Sequence, residues 1–121
     1  MKNIATAVLT VFLLTACFNF NGPSMDFRIM NHSTCQIDTL RIGSHDNATL
    51  NTHSMIAVND TLLSTLDMSV LTSDGTYRLY IRFQNDSVIQ KDFGYYTNGN
   101  PLEESIDIRI LSDTLIFNAQ F

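Results

Sequence analysis

The stretch YRLYIRFQ, Tyr77 to Gln84, alternates without a slip between two kinds of side chain. Tyr77, Leu79, Ile81 and Phe83 fall on one side, and Arg78, Tyr80, Arg82 and Gln84 on the other. A strand turns successive side chains to opposite faces, whereas a helix of 3.6 residues per turn would scatter both sets around its circumference. The pattern therefore predicts a half-buried strand, with one apolar face on a core and one face of arginines and tyrosine toward water. Burying a side chain the size of Leu, Ile or Phe stabilises by about 1.5–3 kcal/mol, so this strand alone brings several kcal/mol to whatever faces it. Asn85-Asp86 favours a tight turn, which predicts an antiparallel partner at Ser87–Phe93.

The same period of two extends outward along the chain. Asp26–Asn31 and Gln36–Ile42 read as strands, the second switching phase between Ile37 and Leu40, as at a bulge or an edge. Gly43 to His53 is mostly polar and reads as loop, while Ser54–Val58 and Thr65–Leu71 read as shorter strands. The segment TLLSTLDMSVL (61–71) also admits a helical turn. Ser105–Leu111 and Thr114–Gln120 make a last hairpin around Ser112-Asp113, with apolar sets Ile106/Ile108/Ile110 and Leu115/Phe117/Ala119/Phe121. No long amphipathic helix competes, and no internal repeat or low-complexity tract interrupts. The expected fold is all-β, an antiparallel two-sheet sandwich of seven to eight short strands with Ig-like or C2-like Greek-key connections.

The amino terminus is different in kind. Met1-Lys2-Asn3 precede an uncharged run from Ile4 to Leu14 that ends in LLTAC, Leu13 to Cys17. A membrane-crossing helix needs about 20 apolar residues, so the run is too short to span and has the layout of a secretory signal. Leu14-Thr15-Ala16-Cys17 resembles the lipobox of bacterial lipoproteins: Leu, a small residue, Gly or Ala, then Cys. The resemblance implies that residues 1–16 are a cleaved signal peptide and that the Cys17 thiol carries diacylglycerol. It also implies that the new terminus is acylated, for example with palmitate. Residues 17–24 would then be lipidated cysteine and tether, and residues 25–121 the domain. Each buried methylene contributes about 0.8 kcal/mol and one chain anchors only marginally, so two or three chains would fix the protein to its membrane. No Asp follows Cys17, as in the inner-membrane retention signal of enteric bacteria, and the first carboxylate is Asp26. The expected location is the bacterial outer membrane facing the periplasm, with the cell surface as the alternative.

After cleavage the chain would have 105 residues and six basic side chains against twelve acidic, a net charge of −6. That is one domain in size, and its acidity and scattered arginines argue against a nucleic-acid partner. With Cys17 lipidated, Cys35 has no disulfide partner and reads as a small apolar side chain. His32, His45, His53, Asp46 and Cys35 are the only metal-like set, and their spacing matches no known metal clamp. Glu103 and Glu104 are adjacent, so an extended backbone sends them to opposite faces and they make no catalytic pair. No nucleophile elbow, phosphate loop or dinucleotide glycine pattern is present. The expectation is a non-enzyme without metal or cofactor.

Two features stand above this background. DFGYYTNGNPLEE (92–104) places Tyr95 and Tyr96 beside an irregular segment with Asn98 and Asn100. Exposed tyrosine with asparagine suits ligand contact; the competing account is a tyrosine packed over its own corner. The triplet Asp-Ser/Thr-aliphatic recurs at Asp38, Asp60, Asp86 and Asp113, and resembles the O-glycosylation sequon of envelope proteins in one group of gut and oral bacteria. It would put glycans on Thr39, Thr61, Ser87 or Thr114; turn-then-strand chemistry is the alternative. Taken together, the features lead to the expectation of a lipid-anchored, non-catalytic binding or accessory protein of the bacterial envelope. Its partners would be membrane lipid through Cys17 and an unidentified envelope protein or glycan. The second expectation is a periplasmic immunity or inhibitor lipoprotein that neutralises a basic toxin or enzyme by charge complementarity.

Overall fold

A computed structural model describes residues 22–121. The expected signal peptide 1–16, Cys17 and residues 18–21 of the expected tether lie outside the described residues. The described chain is all-β, with strands β1 (Ser24–Asn31), β2 (Ile37–Ser44), β3 (Leu50–Ile56), β4 (Thr61–Asp67), β5 (Gly75–Phe83), β6 (Val88–Thr97), β7 (Asn100–Pro101), β8 (Ser105–Ile110) and β9 (Leu115–Gln120). They form a four-stranded sheet, β4-β1-β8-β9, and a five-stranded sheet, β3-β2-β5-β6-β7. Among the described residues no helix is long and apolar enough to cross a membrane.

The two sheets share one core, as in a sandwich. Tyr77, Leu79, Ile81 and Phe83 of β5 are buried together with Met25, Phe27 and Ile29 of β1 and Ile106, Ile108 and Ile110 of β8. Phe27 meets Tyr77 edge-on at 5.3 Å and Phe93 at 5.8 Å, and Phe93 stacks on Phe117 at 4.4 Å. These contacts tie β1, β5, β6 and β9 across the two sheets, in the offset and T-shaped geometries that aromatic quadrupoles favour. Asn31 is fully buried yet satisfied: its amide donates to the carbonyls of Cys35 (3.0 Å) and Ile56 (3.1 Å), and its Oδ1 accepts from the Ser33 hydroxyl at 2.6 Å. The half-buried Cys35 packs against the core.

Several expectations need correction. The sheets are not wholly antiparallel, because β1 pairs with β8 in parallel. Alternation has the same period in both pairings, so sequence carries no sign of it. The described residues form nine strands, β7 being a two-residue addition to β6. The reading of Gly43–His53 as loop misses the first part of β3, Leu50 to His53, while the strand expected at Ser54–Val58 meets its end. The half-buried positions of that edge strand are polar: Asn51 donates to the Ser64 hydroxyl and His53 Nε2 lies 2.9 Å from it. β3 stops at Ile56, after Met55 takes a φ of 58°, and does not reach Val58. The fourth strand is Thr61–Asp67, not Thr65–Leu71; Met68 to Leu71 make a turn closed by the Leu71 N–H on the Met68 carbonyl. β6 runs on past Phe93 to Thr97, so Tyr95 and Tyr96 sit in a strand. The phase switch in β2 is a register shift between Ile37 and Thr39, on a strand interior to its sheet. Phe121 is 85% exposed and leaves the apolar set expected for the last strand.

Candidate functional site

The hairpin joining β6 to β7 brings the four expected contact residues to one end of the molecule. Asn98 and Gly99 both have positive φ (51° and 74°), the combination a tight two-residue hairpin turn requires. Gly99 is buried there, and a Cβ would collide with the Leu71 carbonyl. Tyr96 is 1% exposed and packs on Tyr77 at 5.5 Å, so it is core. Tyr95 points outward, but its hydroxyl donates to Asp74 Oδ2 at 3.3 Å, and Asp74 Oδ1 accepts the Asn98 N–H at 2.9 Å. The Asp74 carboxylate raises the Tyr95 pKa. Asn100 is exposed, its amide 3.4 Å from the Asn98 carbonyl. Beneath, the buried Tyr77 hydroxyl and Glu103 Oε2 find no hydrogen-bond partner among the described residues; burial, with Glu103 and Tyr96 near, pushes the phenol far above its ordinary pKa. Most polar groups of this end are spent holding the corner closed.

The hydroxyls of the recurring triplets are placed unequally. Thr61 opens β4 and Thr114 lies in the β8–β9 turn, both exposed. Ser87 is exposed, with its hydroxyl donating to Asn85 Oδ1 at 2.6 Å. Thr39 is half-buried in β2, with Arg82 3.5 Å from its hydroxyl. The histidines do not gather. His32 Nδ1 accepts from Arg109 Nε at 3.3 Å, while His53 is half-buried near Ser64 and its pKa is lowered by burial. Among the described residues no group of three or more His, Cys, Asp or Glu side chains could hold a metal ion.

Sequence reading did not assemble a further feature, on the outer face of the five-stranded sheet. Register places Leu50, Gly43, Arg78 and Asp92 in one row, and Thr52, Arg41, Tyr80 and Gln90 in the next. A concavity of about 190 Å³ lies here, lined by Arg41, Asn47, Leu50, Arg78, Tyr80 and Gln90. Gly43 is what lets β3 start so close: a Cβ there would strike the Thr49 carbonyl and lie 2.9 Å from Leu50 Cα. Leu50 thereby becomes a wall of the hollow. The Arg41 guanidinium sits over the Tyr80 ring, 5.1 Å from its centroid. Arg78 grips Asp92 through Nε at 2.7 Å and Nη2 at 3.1 Å, which holds the Asp92 carboxyl below its usual range. The alternation of YRLYIRFQ already put Arg78 and Tyr80 on one outward face; Arg41 and Gln90 join them only through strand register. A broader depression of about 550 Å³ on the four-stranded sheet includes Arg28, flanked there by Asp26 and Asp107.

No family model and no curated protein matches the chain. In solved structures the chain is similar to the NMR structure of a protein from Eubacterium rectale, with a TM-score of 0.58 and 11% identity over 81% of this chain and 90% of that one. The likeness is one of fold.

Proposed function

We propose that this chain is a lipid-anchored, non-catalytic binding component of the bacterial cell envelope, held through acylated Cys17. The domain has Ig-like or C2-like Greek-key character and stands at the outer membrane, facing the periplasm. One observation carries the binding reading: Arg41, Asn47, Tyr80 and Gln90 converge on a surface hollow, and none of the four makes a side-chain hydrogen bond among the described residues. Polar side chains that converge on a hollow with an apolar wall, and that no protein partner engages, are available to a ligand. The anchor reading rests on Leu14-Thr15-Ala16-Cys17. The net charge of −6 on the mature chain favours a second reading, an inhibitor that captures a basic toxin or enzyme.

Labelled palmitate should enter the wild-type protein and not Cys17→Ser; labelling of both, or of neither, contradicts the anchor. Protease added to intact cells should spare the domain until the outer membrane is permeabilised, and digestion beforehand places it on the surface. Capture from solubilised membranes separates the two functions. A glycan or envelope component on the wild type supports binding, and a stoichiometric basic toxin or enzyme supports inhibition.

A further inference from the structure

We infer that the hollow over Tyr80 is a binding site for one carboxylate-bearing sugar ring, such as the terminal uronic acid of an acidic glycan, with Arg41 as the carboxylate ligand. This rests on the binding reading above and names its ligand class.

Charge comes first. Of five arginines in an acidic chain, Arg41, Arg78 and Arg82 lie on the outer face of one sheet. Arg78 is occupied by Asp92, and Arg82 reaches Thr39 at 3.5 Å. Arg41 makes neither an ion pair nor a hydrogen bond among the described residues, and its guanidinium carbon lies over the Tyr80 ring, 5.1 Å from the centroid. A guanidinium placed over an aromatic face and without a protein partner still has its two-pronged donor edge for an incoming carboxylate, whose two oxygens match that spacing. The nearby acidic groups do not compete for it. Asp92 is bound by Arg78, and Asp46 accepts from the Ser44 hydroxyl at 2.6 Å and the Ala48 N–H at 3.1 Å.

The rest of the lining suits a sugar. Asn47 and Gln90 each offer an amide donor and acceptor, the complement of neighbouring hydroxyls. Leu50, 43% exposed, and the rim of Tyr80 offer apolar surface to a ring's C–H face. A volume of 190 Å³ is below the roughly 300 Å³ at which drug-sized pockets begin, so the hollow admits a single ring. An acidic peptide fits less well. Arg41 lies on β2, whose main chain is paired on both sides, so a strand added at the open edge of β6 (Val88 to Tyr95) would be separated from it by β5 and β6.

The test is calorimetric titration of the full mature protein in detergent with trigalacturonate, neutral galactotriose and a glutamate-rich peptide. Saturable binding of trigalacturonate alone is expected, weakened at least tenfold by Arg41→Gln and less by Arg41→Lys. Arg109→Gln, on the other sheet, should bind as wild type. Equal binding of the neutral sugar, preference for the peptide, no saturable binding, or an Arg41→Gln variant that binds normally would overturn the inference. If membrane capture still yields a specific glycan or envelope component in that event, the binding reading stands and only its ligand assignment falls.

Discussion

The hairpin end around Asn98-Gly99 and the sheet face around Arg41 hold similar materials, tyrosine, asparagine or glutamine and a charged side chain, and the molecule uses them in opposite ways. At the hairpin, Asp74 takes the Tyr95 hydroxyl and the Asn98 N–H, Gly99 donates to the Ser73 carbonyl, and Tyr96 is buried. On the sheet face, Arg41, Asn47, Tyr80 and Gln90 make no side-chain hydrogen bond among the described residues. Composition suited to binding therefore marks a site only where hydrogen-bonding capacity remains unspent. Substitutions at the hairpin should cost stability, and substitutions at the sheet face should cost binding.

The largest effect should come from the strand beneath that face. Ile81 is fully buried, and Ile81→Asp would place a lone carboxylate in the core. That costs several kcal/mol, a large part of the 5–15 kcal/mol typical of a whole domain. Arg82→Asp, one residue on and exposed, should be mild in a urea melt. Equal losses would refute the assignment of faces.

Gly99→Val should follow, at about 3 kcal/mol, because a β-branched residue is strained at φ 74° and its Cβ meets the Leu71 carbonyl. A variant as stable as wild type would mean that the corner is not built as described. Alkali should attack the same end. Tyr77 and Tyr96 have raised pKa values, chiefly through burial. Their protonated forms favour the folded state, so this stability is intact below the ordinary tyrosine value near pH 10 and is lost as pH climbs toward the folded values. Tyr77→Phe should flatten the alkaline decline followed by circular dichroism, and an unchanged decline would exonerate this phenol.

Smaller effects complete the contrast. Asp74→Ala removes the acceptor of two hydrogen bonds and should lower the melting temperature by a few degrees. Arg41→Gln should leave it within about two degrees, as for most surface changes. If Arg41→Gln destabilised more than Asp74→Ala, the division between a structural end and a binding face would fail.

The legible parts of this molecule are those where one residue's neighbours in sequence decide its fate. Tyr77 to Phe83 announced a buried face, and Tyr95-Tyr96 was legible both as a contact pair and as a packed corner. The first part of β3 stayed hidden because Asn51 and His53 fill its half-buried positions, and the Ser64 and Thr65 groups they meet lie on β4, beyond any local pattern. The parallel pairing of β1 with β8 also leaves no local trace. The hollow was half visible. Arg78 and Tyr80 were read as outward neighbours, but the register shift between Ile37 and Thr39 disguises the face on which Arg41 falls. Asn47 arrives by way of a turn that positions it only once β2 and β3 pair.

The central claim is that the binding surface is the sheet face and not the hairpin end. It is tested most directly by amide and side-chain NMR shifts of the isotope-labelled mature protein titrated with trigalacturonate. The account predicts shifts at Arg41, Asn47, Tyr80 and Gln90, with Tyr95, Asn98 and Asn100 unmoved. Shifts centred on Tyr95, Asn98 and Asn100, with Arg41 and Tyr80 silent, would contradict it.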